Sequence, residues 1–202
     1  MTPLAAAKRE CRARLKARLA KMTTEERERQ SAVICERVVS LEAFETATGA
    51  LLYRPLADEV DVTAVWRAAR ARGRAVFFPR IDGHGDMLRF VRVHESDRWQ
   101  RSRFGFLQPE SEDDLPPADA AAVIIVVPGL GFTRRGDRIG RGGGFYDRAL
   151  SLPPIACQGQ RVGVAFDEQI VDELPADARD VVMNLVVSSQ GVWGPLPLRH
   201  GT

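Results

Sequence analysis

The sequence predicts an α/β fold: a three-layer sandwich around a mixed, largely parallel sheet, with N-terminal helices packed on it. Two observations support this prediction. Apolar runs of strand length alternate with helical patterns along the chain. The apolar run at 121–128 is continuous, as in strands that are covered on both faces. The length of 202 residues and the apolar fraction of 45% fit a single domain over 1–202, and they exclude collagenous and wholly disordered chains.

The first predicted elements are two helices within residues 1–41. Residues 4–20 are rich in Ala, Leu, Lys and Arg, which favour helix. Thr23 and Glu26 have the spacing of a capping box at the start of the second helix. Residues 1–40 contain ten basic and five acidic side chains, so these helices form a basic segment of a chain whose net charge is only +2.

Strands and helices alternate over the middle of the chain. A strand at 49–53, a helix at 61–73 and a strand at 75–79 suggest a parallel pair of strands joined by a helix. The segment 87–93 alternates like a half-exposed strand. Residues 94–119 are polar and contain several prolines, so we expect a loop there.

The second half continues the alternation after the buried strand at 121–128. A long loop rich in glycine and arginine follows this strand. The later predicted elements are a short helix, a strand, a second short helix and a last strand, at 145–150, at 161–166, from Asp167 and at 184–188. Residues 190–202 are interpreted as a tail.

Composition limits the compartment and the partners. The longest apolar run is about nine residues, well short of the roughly 20 that cross a bilayer. Cys11, Cys35 and Cys157 are widely spaced, which disfavours a disulfide framework and a zinc site. The small net charge argues against a strongly basic nucleic-acid binder. We therefore expect a cytoplasmic protein with free thiols, a monomer or weak homo-oligomer, and neither a nucleic-acid nor a membrane partner.

The glycine and arginine loop follows a buried strand, and open α/β sheets bind their ligands at the carboxyl ends of strands. Its glycines let backbone N–H groups approach an anion, and its arginines add bidentate donors for phosphate. The spacing matches neither of the two best-known nucleotide loops. The pattern favours a phosphate site over a merely flexible loop. The residues that indicate this chemistry are Arg138, Gly140, Arg141, Gly142, Gly143 and Gly144.

Three further charged residues bear on this site. Asp147 could hold Mg²⁺ beside a polyphosphate, because this ion prefers one or two carboxylates plus phosphate oxygens. Alternatively, Asp147 pairs with Arg148 or caps a helix. Lys8 and Arg12 lie one helical turn apart and point the same way, which by itself indicates only a solvated helix face.

Several motifs occur in the order in which they occur in the 5-formyltetrahydrofolate cyclo-ligase family, also called methenyltetrahydrofolate synthetases, and the chain resembles that family over roughly residues 8–188. The most specific motif is R-x-G-R-G-x-G-x-Y-D, which begins at Arg138. The weaker matches are Lys8, Arg9 and Arg12, then Gln30-Ser31, Asp58 to Val60, Met87, Gln108-Pro109, P-G-L-G-F from Pro128, and A-F-x-x-Q from Ala165 followed by Leu-Pro.

The resemblance implies an isomerase/CoA-transferase-like architecture and a Mg²⁺- and ATP-dependent conversion of 5-formyltetrahydrofolate to 5,10-methenyltetrahydrofolate. It implies ATP contacts from the first helix and the loop, at Lys8, Arg9, Arg12, Arg138, Gly140, Arg141, Gly142, Gly143, Gly144, Phe145, Tyr146 and Asp147. It implies folate contacts at Glu59, Met87, Phe104, Phe145 and Tyr146. The implied metal ligands are Asp147 and Asp180, and the implied catalytic residues are Arg141 and Tyr146.

Some positions depart from the commoner family pattern, and other functions compete. Gly143 stands where some members have Lys, Phe145 replaces a frequent Tyr, Arg179 stands where some have His, and Asn184 replaces a frequent Asp. Without the resemblance, Asp180 would be a loop cap and the apolar residues would be core. The alternatives are a phosphosugar isomerase, a CoA-transferase-like enzyme, or a nucleic-acid-binding module that uses the basic helices.

Overall fold

A seven-stranded sheet forms the centre of the computed structural model, which describes residues 2–81, 87–116, 122–152 and 159–194. The helices are α1 (Pro3–Leu19), α2 (Thr24–Val39), α3 (Glu42–Thr46), α4 (Thr63–Ala71) and α5 (Phe145–Ser151), with a 3₁₀ turn at Asp167–Gln169. The strands are β1 (Gly49–Leu51), β2 (Ala75–Ile81), β3 (Leu88–Arg92), β4 (Trp99–Arg101), β5 (Leu107–Pro109), β6 (Val123–Val127), β7 (Gly131–Phe132), β8 (Arg138–Ile139), β9 (Gln160–Val164), β10 (Leu185–Val187) and β11 (Val192–Trp193).

The order of strands in the central sheet is β11-β10-β9-β6-β1-β2-β3. The five strands from β10 to β2 are parallel, and the two edge strands β3 and β11 are antiparallel to their neighbours. The prediction of a mixed, largely parallel sheet is confirmed. The predicted parallel pair is β1 with β2, in a register that places Gly49 beside Ala75.

The two faces of the sheet are covered differently. Helices α1 to α4 pack on one face, where Leu52, Phe78 and Val126 point into a core shared with Leu15 and other helical residues. The opposite face packs against α5 and the segments around it. The continuous burial of β6, predicted from its apolar sequence, follows from this double cover.

The N-terminal helices begin at the residues that cap them. Thr2 caps α1, because its Oγ1 accepts the N–H of Ala5 at 3.3 Å. The capping box predicted at Thr23 is confirmed: Thr23 Oγ1 accepts the Glu26 N–H at 3.2 Å, and a Glu26 carboxylate oxygen accepts the Thr23 N–H at 2.8 Å. Leu15 of α1 packs so closely on the hairpin β7–β8 that a Cβ at Gly131 would lie 2.6 Å from its Cδ1.

The prediction of a loop over 94–119 is wrong for its middle part, which forms the hairpin β4–β5. The hairpin strands are short and polar, so they lack the apolar pattern of a buried strand. Tertiary contacts hold them instead. The Gln108 amide exchanges two hydrogen bonds with the backbone of Ile81, and Trp99 packs edge-on against Phe78 with ring centroids 5.1 Å apart.

Three further regions differ from the sequence interpretation or lie outside the description. Residues 190–202 were interpreted as a tail, but Val192–Trp193 form the edge strand β11, while 195–202 lie outside the described residues. Cys11 and Cys35 are buried free thiols, as expected, and Cys157 is not among the described residues. In the described ranges, no helix combines the length and apolar content needed to cross a membrane.

The turn between β7 and β8 generates a prediction about stability. Gly136 has φ +98°, and a Cβ at this position would lie 2.4 Å from the carbonyl oxygen of Met183. Gly73 also has a positive φ, +69°, but a Cβ there would meet nothing. We expect Gly73→Ala to lower the free energy of unfolding by about 1–2 kcal/mol, the backbone penalty alone. Gly136→Ala adds a backbone clash and should cost about 2–5 kcal/mol in urea unfolding. Equal losses in the two variants would contradict this account.

Candidate active site

A cavity of about 1080 Å³ opens at the carboxyl ends of β1 and β6. It lies between α1, the hairpin β4–β5, the N-terminal end of α5 and the segment 177–180. Ligand cavities measure about 300–1,000 Å³, so this one lies at the upper end of the usual size range. Among the residues that the structure describes, seven cationic side chains and four carboxylates line it. The cavity is therefore suited to an anionic ligand.

The glycine segment 140–144 joins β8 to α5 and forms one wall of the cavity. Gly142 and Gly144 have φ values of +108° and +65°, which residues with a Cβ rarely adopt. Arg12 of α1 holds this wall in place, because its Nε donates to the carbonyl oxygen of Gly140 at 2.9 Å. Among the described residues no carboxylate pairs with Arg12. Its two Nη groups are consequently available to an anion at the glycine wall.

A buried ion pair fixes the base of the glycine wall. The guanidinium of Arg138 donates from Nη2 to Asp147 Oδ1 at 2.7 Å and from Nη1 to the carbonyl oxygen of Pro128 at 3.2 Å. The Arg138 side chain is only 3% exposed. Asp147 thus pairs with Arg138 and not, as one interpretation of the sequence had it, with Arg148. Arg138 connects the end of β6 to the start of α5.

Lys8 binds two aspartates of the segment 177–180. Its Nζ lies 2.5 Å from Asp180 Oδ2 and 3.1 Å from Asp177 Oδ2. Burial lowers the pKa of Lys8, but the hydrogen bonds to the two carboxylates outweigh this effect and raise it above its ordinary value. Arg179 and Lys8 together hold the pKa of Asp177 below its ordinary value. Asp180 also accepts the backbone N–H of Asp177 at 2.7 Å, the loop-capping role considered as an alternative.

Arg141 reaches away from the glycine wall to the loop that follows β1. Its Nη2 lies 2.5 Å from Asp58 Oδ1, and its Nε lies 3.0 Å from Glu59 Oε1. Glu59 also accepts the N–H of Leu56 at 3.0 Å. Burial raises the pKa of Glu59 above its ordinary value, and the Leu56 N–H and Arg141 only partly oppose this. The residue predicted for ATP and the residue predicted for folate are therefore joined by an ion pair.

Tyr146 presents a polar atom without a partner. Its hydroxyl is buried, and no described residue hydrogen-bonds to it. Burial raises its pKa well above the ordinary value, with a further contribution from Glu59. Buried hydroxyls are nearly always hydrogen-bonded. The Tyr146 side chain lines the cavity, so a bound ligand is a natural partner for this hydroxyl.

The predicted apolar contacts occupy the mouth of the cavity. Met87 lines it, and Phe104 contacts Phe145 with ring centroids 4.8 Å apart. Met87 and Phe104 are each 47% exposed, so neither is a core residue. The Phe145 ring occupies the space beside Gly143, where a Cβ would lie 2.6 Å from the ring. The absence of a side chain at Gly143 thus makes room for Phe145.

Most of the predicted site residues meet at this cavity, but Arg9 does not. Arg9 is exposed and lies outside the lining residues. Phe104 touches the site only through Phe145. Sequence reasoning missed Arg54 and Asp177, which both line the cavity. Arg54 comes three residues after the end of β1, and its position just past a buried parallel strand was the signal that could have found it.

Three glutamine and serine residues of the matching motifs have structural roles beside the cavity. The Gln169 amide donates to the Gly129 carbonyl oxygen at 2.7 Å and accepts the Phe166 N–H at 2.8 Å. Gln30 accepts the Asp167 N–H at 2.8 Å, and Ser31 accepts the Asp61 N–H at 3.1 Å. These residues attach the loops around the cavity to α2 and to one another.

The predicted metal ligands lie on one side of the cavity. The N–H of Val181 points at Asp147 Oδ1, 3.4 Å away, so Asp147 lies close to the segment that carries Asp180. In the part of the chain that the structure describes, no three metal-binding side chains form a cluster. Mg²⁺ beside a polyphosphate needs only one or two carboxylates, because phosphate oxygens and water supply the other ligands. The two aspartates fit a magnesium ion that is bound together with a phosphorylated ligand.

A mixed sheet with a cationic, glycine-lined cavity at its strand ends is typical of α/β enzymes that bind phosphorylated small molecules. The sequence model of the 5-formyltetrahydrofolate cyclo-ligase family matches residues 4–189. The chain therefore belongs to the 5-formyltetrahydrofolate cyclo-ligase family, and it is a ligase.

Three relatives show the extent of the similarity. The 5-formyltetrahydrofolate cyclo-ligase of Mus musculus is 31% identical over 191 residues, which cover 90% of this chain and 93% of the mouse protein. That of Escherichia coli K12 is 31% identical over 153 residues, 74% of this chain and 78% of its own. The NMR structure of Aquifex aeolicus 5,10-methenyltetrahydrofolate synthetase is 30% identical with a TM-score of 0.79, and the superposition covers 96% of this chain and 94% of the other.

The buried position of Glu59 generates a prediction about pH. A carboxyl group whose pKa is higher in the folded than in the unfolded chain contributes stability below its ordinary pKa of 4.5, and this contribution is lost as the pH rises through the folded pKa. Glu59→Gln removes this loss. We therefore expect the variant to gain stability relative to the wild type as the pH rises above 4.5, measured by urea unfolding. Glu28→Gln, at an exposed position of α2, should show a flat difference. A wild type that gains on the variant with rising pH would refute the prediction.

Proposed function

We propose that the protein converts 5-formyltetrahydrofolate and Mg²⁺-ATP to 5,10-methenyltetrahydrofolate, ADP and phosphate. One observation supports this proposal most directly. Arg12 lies against the glycine wall with no carboxylate partner among the described residues, in a cavity at the upper end of the size range of small-molecule sites. Such a cavity suits a reaction in which a polyphosphate and a second substrate are bound side by side.

In this proposal the ATP phosphates lie against the glycine wall. Backbone N–H groups of 140–144 and the Nη groups of Arg12 donate to phosphate oxygens. Arg138 acts through Asp147, because its guanidinium is already engaged with protein acceptors. Lys8 contributes to the charge of this region while it holds Asp180. Asp147 and Asp180 would hold Mg²⁺, which neutralises charge on the phosphate oxygens when it is bound.

The folate lies in the other half of the cavity. Glu59 is a buried acceptor that suits the N–H groups of the pterin ring, and Met87 and Phe145 supply apolar surface beside it. Phe104 extends that surface through its contact with Phe145. The Tyr146 hydroxyl, like any phenol, is protonated at neutral pH, and burial raises its pKa further, so it can donate to an oxygen of the bound substrates.

The proposed reaction first transfers the γ-phosphoryl group of ATP to the formyl oxygen, which releases ADP. The formyl carbon then becomes electrophilic, because its oxygen is part of a good leaving group. N10 attacks this carbon, the carbon–oxygen bond breaks to release phosphate, and N10 loses its proton. Arg141 lies between the two halves of the cavity and would neutralise charge on the transferred group. Such chemistry depends mostly on positioning and charge neutralisation.

Family membership disfavours the isomerase and CoA-transferase alternatives, which share only the type of fold. The small-molecule substrates are a reduced folate and ATP. A cytoplasmic location, a monomeric or weakly associating state, and the lack of nucleic-acid and membrane partners stay predictions from the sequence.

The activity is tested by mixing the protein with 5-formyltetrahydrofolate, ATP and Mg²⁺ and following the absorbance of methenyltetrahydrofolate. We expect product only when both ATP and Mg²⁺ are present. A mixture in which EDTA replaces free Mg²⁺ is the control. Folded protein that forms no ATP-dependent product at acidic to neutral pH would exclude the proposed function.

The role of Arg12 gives a sharper prediction. Arg12→Gln removes charge-assisted hydrogen bonds worth about 1.5–3 kcal/mol, so we expect the KM for ATP to rise roughly 10- to 100-fold. The KM for the folate should change much less. Arg18→Gln is the matched control, since Arg18 is an exposed residue of the same helix. If the two variants behave alike, Arg12 does not bind phosphate.

A further inference from the structure

Arg54 places a guanidinium against two indole rings at the edge of the cavity. Its Cζ lies 4.9 Å from the ring centroid of Trp99 and 5.9 Å from that of Trp66. The two indoles pack edge-on with each other and with Phe78, so the surface beneath the guanidinium is rigid. Cation–π contacts of this kind fix the plane of a guanidinium but leave its N–H groups free.

The charge of Arg54 is not matched by the protein. Within the described residues no carboxylate pairs with it and no carbonyl oxygen accepts from its side chain. The two carboxylates of the same loop, Asp58 and Glu59, both form ion pairs with Arg141 and not with Arg54. Arg54 lines the cavity, so its guanidinium N–H groups can donate to an anionic ligand that enters the cavity.

We propose that Arg54 binds a carboxylate of the glutamate portion of the folate substrate. The inference rests on the proposed function, which supplies a ligand with a ring system at one end and two carboxylates at the other. Beyond Met87, the residues Pro79, Leu88 and Leu107 add apolar surface to the lining of the same cavity. A benzoyl group suits apolar lining of this kind, and the planar guanidinium of Arg54 in the same cavity suits a carboxylate.

The position of Arg54 favours the carboxylate over ATP as its partner. Phosphates are met by the glycine wall, which α1 and α5 flank. Arg54 instead belongs to the β1 loop and rests on the hairpin β4–β5 through Trp99, on the side of the sheet edge formed by β2 and β3. Arg54 is accordingly a specificity-determining residue for the tail of the folate.

The test compares two substrates in two variants. We expect Arg54→Gln to raise the KM for 5-formyltetrahydrofolate roughly tenfold, the effect of one charge-assisted contact, with kcat and the KM for ATP unchanged. With the primary amide of 5-formyltetrahydropteroate, in which a carboxamide replaces the glutamate and no carboxylate remains, Arg54→Gln and wild type should have the same KM. Arg67→Gln, an equal charge change at an exposed position of α4, should match wild type with both substrates.

Three results would overturn the inference. An equal loss with both substrates means that Arg54 only stabilises the indole cluster. A raised KM for ATP assigns it to phosphate. No change with either substrate means that it binds neither. Calorimetric titration of both folate compounds repeats the comparison without turnover. If the wild type binds them but forms no product, the proposed function is refuted, and the comparison of affinities still tests the role of Arg54. A wild type that binds neither compound refutes both.

Discussion

The docking of α1 on the glycine hairpin is the contact on which the cavity depends. Lys8, Arg12, Leu15 and Leu19 form one stripe along the helix. The leucines anchor its C-terminal half in the core, and Leu15 touches Gly131, which has no side chain to keep the helix away. The same stripe then carries Arg12 to Gly140 and Lys8 to the aspartates near the C-terminal end of the chain. A shift of α1 would open the cavity and, at the same time, move Lys8 away from its aspartates and Arg12 away from Gly140.

Burial removes water from the ion pairs of this cavity, so these pairs stabilise the fold only when their geometry is good. Charges removed from water regain free energy only when partners and geometry are good, and loss of one partner leaves the other buried and unpaired. Arg138 meets this requirement at its two Nη groups, through Asp147 and the Pro128 carbonyl oxygen, whereas its buried Nε has no partner among the described residues. Glu59 meets it less completely, as its raised pKa records. The ion pair between Arg138 and Asp147 is therefore held on both sides, whereas the ion pair between Arg141 and Glu59 is open to exchange with a ligand.

The sequence predicted the largely parallel sheet, the capping box of α2 and the glycine loop, because each depends on local pattern. It did not predict the hairpin β4–β5, whose short polar strands are held by Gln108 and Trp99 across the fold. The motif match indicated most of the cavity residues, but it did not indicate which of them form ion pairs with one another. Lys8 and Arg12 read alone as a solvated face, although their register with Leu15 and Leu19 already placed them on the buried side. That Arg141 would bind Glu59, 82 positions earlier, required the folded chain.

The ion pair between Arg141 and Glu59 makes the two halves of the cavity thermodynamically dependent. A ligand that draws Arg141 toward the glycine wall removes the charge that offsets the burial of Glu59, so it changes the affinity of the other half. Binding free energies do not depend on the order of addition, and the second ligand must therefore influence the first by the same factor. A dissociation constant measured for either ligand alone describes only half of a coupled equilibrium.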